Sequence, residues 1–525
     1  MNGHPPSFLR NVGLGLLFAF AFLFLLASMN RTVNIYDEGI MLVGAMRVAA
    51  GQLPHRDFYT NYGPGTYLLL AGLFKAFSTS VLVERLADTA VRALIAVTCF
   101  GLCRRLGFGP ASHVAYGLAI LVLSLSRFYG AAEFPALLGL LAGVWCCVPV
   151  FAGQNGRGAP FAAGLAFGAA TLFRYDFGLI SFGLASLVLV LFLWRQKSRM
   201  ATATLTAWGL GALTILGPLA LVYGLGGALP GWYHDLWQYP SANYVAMRGL
   251  PFPGLAALAR NSDDIWVYFP VAVWCLAVPL LWRASRRPGD APAATGATGA
   301  CAAVWTLWLL VLLSGALFAK GSVRVSLLHM APAAIVSIVL FAFVWSVVQT
   351  SPALGRFTVA LVWIGLLVMA PHTAAALRLT VPARADRPPR LGAFYLDANR
   401  LAAIDWIRRH TEPGTLLFVG AGRHDKIFIN DMLFYFLSDR LPATKWAHFD
   451  PGLQTTAAVQ RDMIREITAK NVPYVVVETD YDDRREPNAS ALSSGVRELD
   501  AFLRAQYVPA AAFGPIIVVR KKDVP

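Results

Sequence analysis

Charge is scarce in this sequence. Of its 525 residues only 14% are Asp, Glu, Lys or Arg, whereas 57% are hydrophobic, and the mean hydropathy is +0.56. These values exclude an ordinary soluble globular protein. Runs of about 20 apolar residues, each long enough to cross a bilayer about 30 Å thick, recur through the first three quarters of the chain. The composition therefore predicts an α-helical polytopic membrane protein.

Three further features that the sequence lacks argue against particular kinds of site and protein. None of the six cysteines has the spacing of metal ligands, so we expect neither a disulfide nor a cysteine-bound zinc ion. No third glycine follows Gly420 and Gly422 at the spacing of a dinucleotide fingerprint, which argues against a nucleotide cofactor. No internal repeat is visible, and the large loops at 31–80 and 224–264 do not correspond in two halves. This argues against a transporter built from inverted repeats.

The net charge of +15 would suggest a nucleic-acid partner if the charges were spread evenly. Instead, basic residues cluster in the short gaps between alternate apolar runs, and the positive-inside rule places these gaps in the cytoplasm. The clusters are Arg104-Arg105, Arg157, Arg195/Lys197/Arg199, Arg283/Arg286/Arg287 and Arg356. Nearly all acidic residues before position 373 lie near the opposite face, Asp290 being the exception. We therefore expect membrane lipids, and no nucleic acid, as partners.

Hydropathy and charge bias together predict about eleven spans and a transmembrane domain over residues 1–373. The predicted spans are 12–30, 82–103, 110–126, 135–152, 160–174, 178–194, 204–223, 265–282, 301–319, 327–348 and 357–373. The first run also resembles a signal peptide, because Arg10 precedes it. A span is favoured, because an odd number agrees with the charge distribution. The N-terminus is then cytoplasmic and the C-terminus extracytoplasmic.

Three shorter segments interrupt this pattern. Residues 39–50 are expected to form a short helix along the surface. Thr66–Phe77 is too short to cross and is expected to be interfacial or re-entrant. Pro288–Ala300, rich in Ala, Gly and Thr, is expected to be a flexible cytoplasmic linker.

The composition changes at about residue 374, where charges become frequent. Helical patterns at 398–410, 455–470 and 492–506 alternate with short apolar runs at 415–419, 474–478 and 516–519. This alternation predicts that residues 374–525 form an extracytoplasmic α/β domain with a mainly parallel sheet.

Polar residues are concentrated in the first outer loop, residues 31–80. Two adjacent carboxylates, Asp37 and Glu38, directly follow the first apolar run. The same face collects polar side chains from later segments. They are His55, Arg56, Asp57, Tyr59, Asn61, Tyr62, Arg174, Asp176, Lys320, Arg324 and His329. Charge at membrane depth is costly and usually faces a cavity or binding site.

Simpler interpretations of several of these residues stay open. The two carboxylates could be ordinary charges at a helix end. Arg174 fits a structural pair with Asp176 as well as it fits phosphate binding. Lys320 and Arg324 could merely extend to the interface. A lone His-x-Asp, as at His55, is a weak metal signal, so no metal or other cofactor is expected, although a divalent cation is possible.

A carboxylate among cations at a lipid–water boundary suits the transfer of a sugar from a lipid phosphate to a hydroxyl group. If a sugar is carried on a polyprenyl phosphate, cations stabilise the departing phosphate, and arginine can contact it with two hydrogen bonds. The carboxylate then takes the proton from an attacking hydroxyl.

The order of motifs resembles the GT-C superfamily of membrane glycosyltransferases. The motifs are Tyr36-Asp37-Glu38-Gly39, Pro54–Phe58 and Tyr62–Gly65. The chain is similar to bacterial proteins of the dolichyl-phosphate-mannose protein mannosyltransferase type (glycosyltransferase family 39) and to aminoarabinose transferase-like proteins. The resemblance implies that Asp37 is the catalytic base and that Glu38 supports it.

The resemblance also implies a substrate-binding set. It comprises His55, Arg56, Asp57, Tyr62, Arg174, Lys320, Arg324 and His329, with Arg174, Lys320 and Arg324 as candidates for the donor phosphate. The expected enzyme is a hexosyl- or pentosyltransferase on the extracytoplasmic face of the bacterial inner membrane. It would move a sugar from a polyprenyl-phosphate donor to a hydroxyl of a lipid, an envelope glycan or a protein. The alternative is a transporter or flippase for lipid-linked glycans, which requires ionisable groups at mid-span.

Overall fold

Apolar helices dominate the computed structural model, which describes residues 7–154, 156–254, 256, 265–286, 296–349, 351–374 and 387–522. Eight of these helices are long and apolar enough to cross a membrane. They are Val81–Arg105, Glu133–Phe151, Tyr175–Arg195, Ala201–Leu225, Ile265–Arg286, Gly296–Gly321, Leu327–Val348 and Pro352–Ala374. Four shorter apolar helices accompany them. These are Val12–Ala27, which is part of helix Ser7–Ala27, and the helices Gly65–Ala76, Ala111–Leu125 and Gly158–Phe173.

The predicted spans can be compared with these helices. Eight of the eleven coincide with long apolar helices, and the predictions at 12–30, 110–126 and 160–174 coincide with shorter ones. The number eleven is therefore not confirmed. The short helix expected near residues 66–77 is present as Gly65–Ala76. Most of the predicted linker at 288–300 lies outside the described residues.

Small residues allow two helices of the bundle to pack closely. A Cβ added to Gly164 would lie 2.0 Å from the carbonyl oxygen of Trp208, and one added to Gly211 would lie 2.0 Å from that of Phe161. Since lipid tails are as apolar as leucine, close backbone approach is a main source of helix association in a membrane. Glycine at these positions holds helices Gly158–Phe173 and Ala201–Leu225 together.

Helix Val81–Arg105 carries a buried arginine that satisfies the end of a neighbouring helix. Arg92 pairs with Asp88 (2.5 Å) and donates to the carbonyl oxygens of Leu123 (2.8 Å) and Ser126 (2.6 Å). The last carbonyls of a helix have no partner within it. Arg92 supplies one at the end of helix Ala111–Leu125.

The loop 31–80 lies between the bundle and the C-terminal domain. Helix Asp37–Ala49 occupies the place of the helix expected along the surface, but its residues from Glu38 to Arg47 are buried. A Cβ on Gly39 would lie 2.6 Å from the backbone nitrogen of Leu433, which donates to the carbonyl oxygen of Ile35 (2.9 Å). The C-terminal domain therefore packs directly on the loop.

The described part of the C-terminal domain contains a five-stranded sheet and four α-helices. The strands are β1 Leu416–Ala421, β2 Leu441–Pro442, β3 Tyr474–Glu478, β4 Tyr507–Phe513 and β5 Ile516–Lys521. The helices are Ala398–His410, Leu433–Ser438, Ala457–Ala469 and Glu498–Gln506. The strand order is β2-β1-β3-β5-β4.

The expectation of a mainly parallel sheet is wrong, since the sheet is mixed. β1 runs parallel to β2 and β3, whereas β5 runs antiparallel to β3 and β4. Only Gly514 and Pro515 separate β4 from β5, and a two-residue connection produces an antiparallel hairpin. Gly514 has a φ of +58°, which suits such a turn.

Candidate functional site

A cavity of about 300 Å³ lies where the loop 31–80, several helix ends and the C-terminal domain meet. Most of its lining residues are polar, and they include charges of both signs. The residues are Asn34, Tyr36, Asp37, Asn61, Tyr62, Phe128, Glu133, Tyr244, Arg248, Leu250, Arg324, Ser326, Leu328, His329, Phe428, Ile429, His448 and Asp450. Asp37, Tyr62, Arg324 and His329 are thus brought together from distant parts of the sequence.

Asp37 is held at the first turn of helix Asp37–Ala49. Its backbone nitrogen donates to Asn34 Oδ1 (2.8 Å), and Asn34 Nδ2 donates weakly to Asp37 Oδ2 (3.4 Å). The positive end of the helix dipole favours a carboxylate there. Burial nevertheless raises the pKa of Asp37 to about 6, although Arg248 and Arg324 act in the opposite direction. The carboxylate is therefore partly desolvated and still ionised for the most part at neutral pH.

Glu38 faces away from the cavity. It forms a two-pronged ion pair with Arg85, with distances of 2.5 Å from Nε to Oε1 and 2.8 Å from Nη2 to Oε2. Glu38 Oε2 also accepts from the backbone nitrogen of Asn34 (3.0 Å). Both side chains of the pair are 1% exposed. Removing one partner of such a buried pair lowers the free energy of unfolding by about 3–5 kcal/mol. Glu38 therefore stabilises the fold.

Arg248 is a cavity residue that the sequence did not identify. It lies in the short helix Val245–Arg248 and donates from Nη2 to Tyr36 Oη (2.8 Å) and Asp450 Oδ1 (2.9 Å). Its Nη1 donates to the carbonyl oxygen of Phe428 (3.2 Å). Three separate segments therefore fix this guanidinium beside the cavity.

Arg324 is the second arginine in the lining. It forms a two-pronged pair with Glu486 (2.6 and 2.9 Å) and donates to the carbonyl oxygen of Arg248 (2.9 Å). His329 lies nearby, where its Nδ1 is 2.7 Å from the hydroxyl of Ser326. That hydroxyl also caps helix Leu327–Val348.

Asp450 brings the C-terminal domain into the site. Besides Arg248, it accepts from Tyr59 Oη (2.9 Å) and from Asn61 Nδ2 (3.2 Å). The side chain of Asp450 is 5% exposed. The carboxylate thus ties the loop 31–80 to the segment that carries Arg248.

Arg174 and Lys320 are absent from the cavity lining and lie behind it. Arg174 pairs with Asp176 (2.7 and 2.9 Å) and with the cavity residue Glu133, and its guanidinium lies 5.6 Å from the ring of Tyr62. Lys320 Nζ is 3.4 Å from Asp176 Oδ2. The structural pair between Arg174 and Asp176 is therefore present. Phosphate binding by Arg174 and Lys320 stays a prediction.

His55, Arg56 and Asp57 are not among the residues that line the cavity. His55 is fully buried, with its Nδ1 3.1 Å from Asp235 Oδ2. Arg56 and Asp57 pair with each other (2.8 Å), and Asp57 also accepts from the backbone nitrogen of Leu53 (2.7 Å). These contacts shape the loop, and substrate binding by the three residues stays a prediction.

The described part of the chain contains no group of three His, Cys, Asp or Glu side chains placed to hold a metal ion. Glu133, Arg248 and Asp450 are the charged cavity residues that sequence reasoning missed. Glu133 is one of the acidic residues that the charge pattern places near the predicted outer face, and nothing else in the sequence distinguishes it. Arg248 lies in a loop rich in aromatic residues, and no local pattern distinguishes Asp450.

Solved structures resemble this arrangement over almost the whole chain. The crystal structure of ArnT from Cupriavidus metallidurans bound to undecaprenyl phosphate matches with a TM-score of 0.55 and 16% identity, covering 98% of each chain. Its apo form matches with a TM-score of 0.56 and 16% identity, covering 97% of this chain and 98% of ArnT. The protein has the GT-C fold. Together with the apolar helices, this fold makes it a multi-pass membrane protein.

A further solved structure, that of the Archaeoglobus fulgidus oligosaccharyltransferase, matches with a TM-score of 0.48 and 13% identity over 97% of this chain and 74% of that one. No protein-family model matches the sequence, and no curated protein matches it either.

Proposed function

We propose that this protein is a glycosyltransferase that moves a sugar from a polyprenyl-phosphate donor to a hydroxyl acceptor. The observation that carries the proposal is the cavity in which the Asp37 carboxylate is grouped with Arg248 and Arg324. The likeness to ArnT bound to undecaprenyl phosphate supports the same class of donor. We place the reaction on the extracytoplasmic face of a bacterial inner membrane, because the basic clusters lie at the other ends of the helices.

Asp37 acts as the general base in this proposal. Its carboxylate takes the proton from the acceptor hydroxyl while the oxygen forms a bond to the anomeric carbon of the sugar. The bond between that carbon and the phosphate oxygen breaks, and the polyprenyl phosphate leaves with the electron pair. General-base catalysis of this kind contributes about 10²–10⁴-fold to the rate.

Arg248 and Arg324 bind the donor phosphate in this proposal. Both already pair with carboxylates, Asp450 and Glu486. These pairs hold the guanidinium groups in place before substrate arrives, so that little reorganisation is needed as charge develops on the phosphate. Tyr62 and His329 supply further polar contacts in the cavity. The transferred group is a hexose or a pentose, and the acceptor is a lipid, an envelope glycan or a protein.

The test uses membranes that contain the protein and a radiolabelled polyprenyl-phosphate sugar. We expect Asp37→Asn to lower the initial rate of sugar transfer by about 10²–10⁴-fold, because the amide cannot accept the proton. The level of inserted protein should be unchanged. The matched control is Asp462→Asn, which removes a carboxylate that pairs with Arg465 on the surface of the C-terminal domain. Transfer by Asp37→Asn at the wild-type rate would contradict the assignment of the base.

A further inference from the structure

A second group of cavities lies at the opposite end of the bundle. Helix Tyr175–Arg195 begins beside Arg174, behind the Asp37 cavity, and its 21 residues end about 30 Å away at a tight turn. We call residues Arg195–Arg199 the basic turn. Three clefts of about 650, 490 and 590 Å³ meet there and share several of its residues.

The basic turn supplies all of the formal charge in these clefts. Arg195 lines two clefts, Lys197 lines two, and Arg199 lines one, while no Asp or Glu is part of the lining. Within the described ranges, these three cations make no ion pair or side-chain hydrogen bond. They differ in this from Arg248 and Arg324, each of which pairs with a carboxylate. Among the described residues, no carboxylate balances this positive charge, which is therefore available to an anionic ligand.

The walls of the clefts are apolar and aromatic. Trp194 is 78% exposed, and Val190 and Leu205 line the same cleft. The second cleft is lined by three indole rings, those of Trp282, Trp305 and Trp308. Tryptophan is enriched where membrane-spanning helices meet the lipid headgroups. The clefts thus combine positive charge at their polar end with a surface suited to hydrocarbon.

We propose that the basic turn is a binding site for an anionic glycerophospholipid. Its phosphate lies against Arg195, Lys197 and Arg199, and its acyl chains lie along the exposed apolar side chains of helix Tyr175–Arg195. A soluble phosphate would satisfy the cations but leave the apolar walls uncovered, which is why the structure favours a lipid. Basic pockets between helix ends are a recognised means of selecting anionic headgroups.

The proposal is tested on the purified full-length protein by native mass spectrometry after addition of phosphatidylglycerol or phosphatidylcholine. The wild type should retain phosphatidylglycerol preferentially. The triple variant Arg195→Gln, Lys197→Gln, Arg199→Gln should bind it at least about tenfold more weakly, because each cation near a headgroup contributes substantially to the attraction. The control triple variant is Arg104→Gln, Arg105→Gln, Arg157→Gln. It removes the same charge from other predicted cytoplasmic gaps and should change the affinity by less than about twofold.

Three outcomes would overturn the proposal. Equal losses in both triple variants would show general attraction to the basic face, and equal binding of phosphatidylcholine would show that the headgroup charge is not recognised. Displacement of the lipid by millimolar inorganic phosphate would identify a free anion as the ligand. If the triple variant does not insert, Lys197→Gln alone should still weaken phosphatidylglycerol binding measurably, and an unchanged affinity would count against the site.

Discussion

Two neighbouring carboxylates, Asp37 and Glu38, have entirely different surroundings. Successive side chains on a helix point about 100° apart, so one faces the cavity while the other faces the buried guanidinium of Arg85. Asp37 has only a weak contact from Asn34 to its carboxylate and is free to receive a proton. Both carboxylate oxygens of Glu38 accept hydrogen bonds from Arg85. This pair holds the loop 31–80 to helix Val81–Arg105. We therefore assign the chemistry to Asp37 and a supporting role to Glu38.

The environment of Asp37 predicts the pH dependence of transfer. Burial raises the pKa of Asp37 to about 6. A general base must be ionised, so below this value the rate should fall about tenfold for each unit of pH, and above it the rate should level off. The measurement is kcat/KM for the donor between about pH 4.5 and 8, because this ratio reports the pKa of the free enzyme. Recovery of full activity on return to neutral pH is the control for acid unfolding. A rate that does not change between about pH 5 and 7 would contradict the role of Asp37.

At the scale of elements, the site depends on two segments that are about 200 residues apart in sequence. The short helix Val245–Arg248 carries a phosphate-binding arginine in our proposal, and the C-terminal domain carries the carboxylate that orients it, Asp450. Asp450 also contacts Tyr59 and Asn61 in the loop 31–80. The C-terminal domain therefore forms part of the cavity wall.

This arrangement predicts that Asp450 is a positioning residue. We expect Asp450→Asn to raise KM for the donor about tenfold or more, because one partner of a buried ion pair is lost and Arg248 is no longer fixed. The double variant Arg248→Gln, Asp450→Asn should be little worse than Arg248→Gln alone, since both changes break the same interaction. Kinetic assays in membranes would measure this. Asp439→Asn, which alters an exposed carboxylate of the same domain, is the control.

Fully additive losses in the double variant would contradict the positioning role. They would show that Asp450 affects donor binding independently of Arg248.

At the scale of the whole molecule, the proposed cavity and the basic turn lie at opposite ends of the bundle. We therefore expect alkaline phosphatase fused after Pro525 to be active in bacterial cells, and the same enzyme inserted after Arg199 to be inactive. The physical reason is the charge bias, which places the clusters of Lys and Arg in the cytoplasm. Inactivity of the C-terminal fusion in stably inserted protein would contradict the proposed orientation and place Asp37 on the cytoplasmic face.

Local properties of the sequence determined much of this protein. Hydropathy located the apolar helices, because about 20 consecutive apolar residues are needed to cross a bilayer wherever they pack. The composition after about residue 374 predicted helices alternating with short strands, and a small sheet with helices is present there. The adjacent carboxylates at Asp37 and Glu38 marked the loop that lines the cavity, and the motifs around them predicted the GT-C fold.

Tertiary structure decided which residues meet. Glu133, Arg248 and Asp450 reach the cavity through the packing of segments far apart in sequence, and no local pattern records such contacts. The separate roles of Asp37 and Glu38 likewise depend on where Arg85 lies. The antiparallel β4–β5 hairpin and the shorter helices in the bundle were also decided by chain geometry, which hydropathy does not encode. Hydropathy thus determines which segments enter the membrane, because burying polar residues in lipid is costly. Long-range packing determines which polar side chains line the cavity.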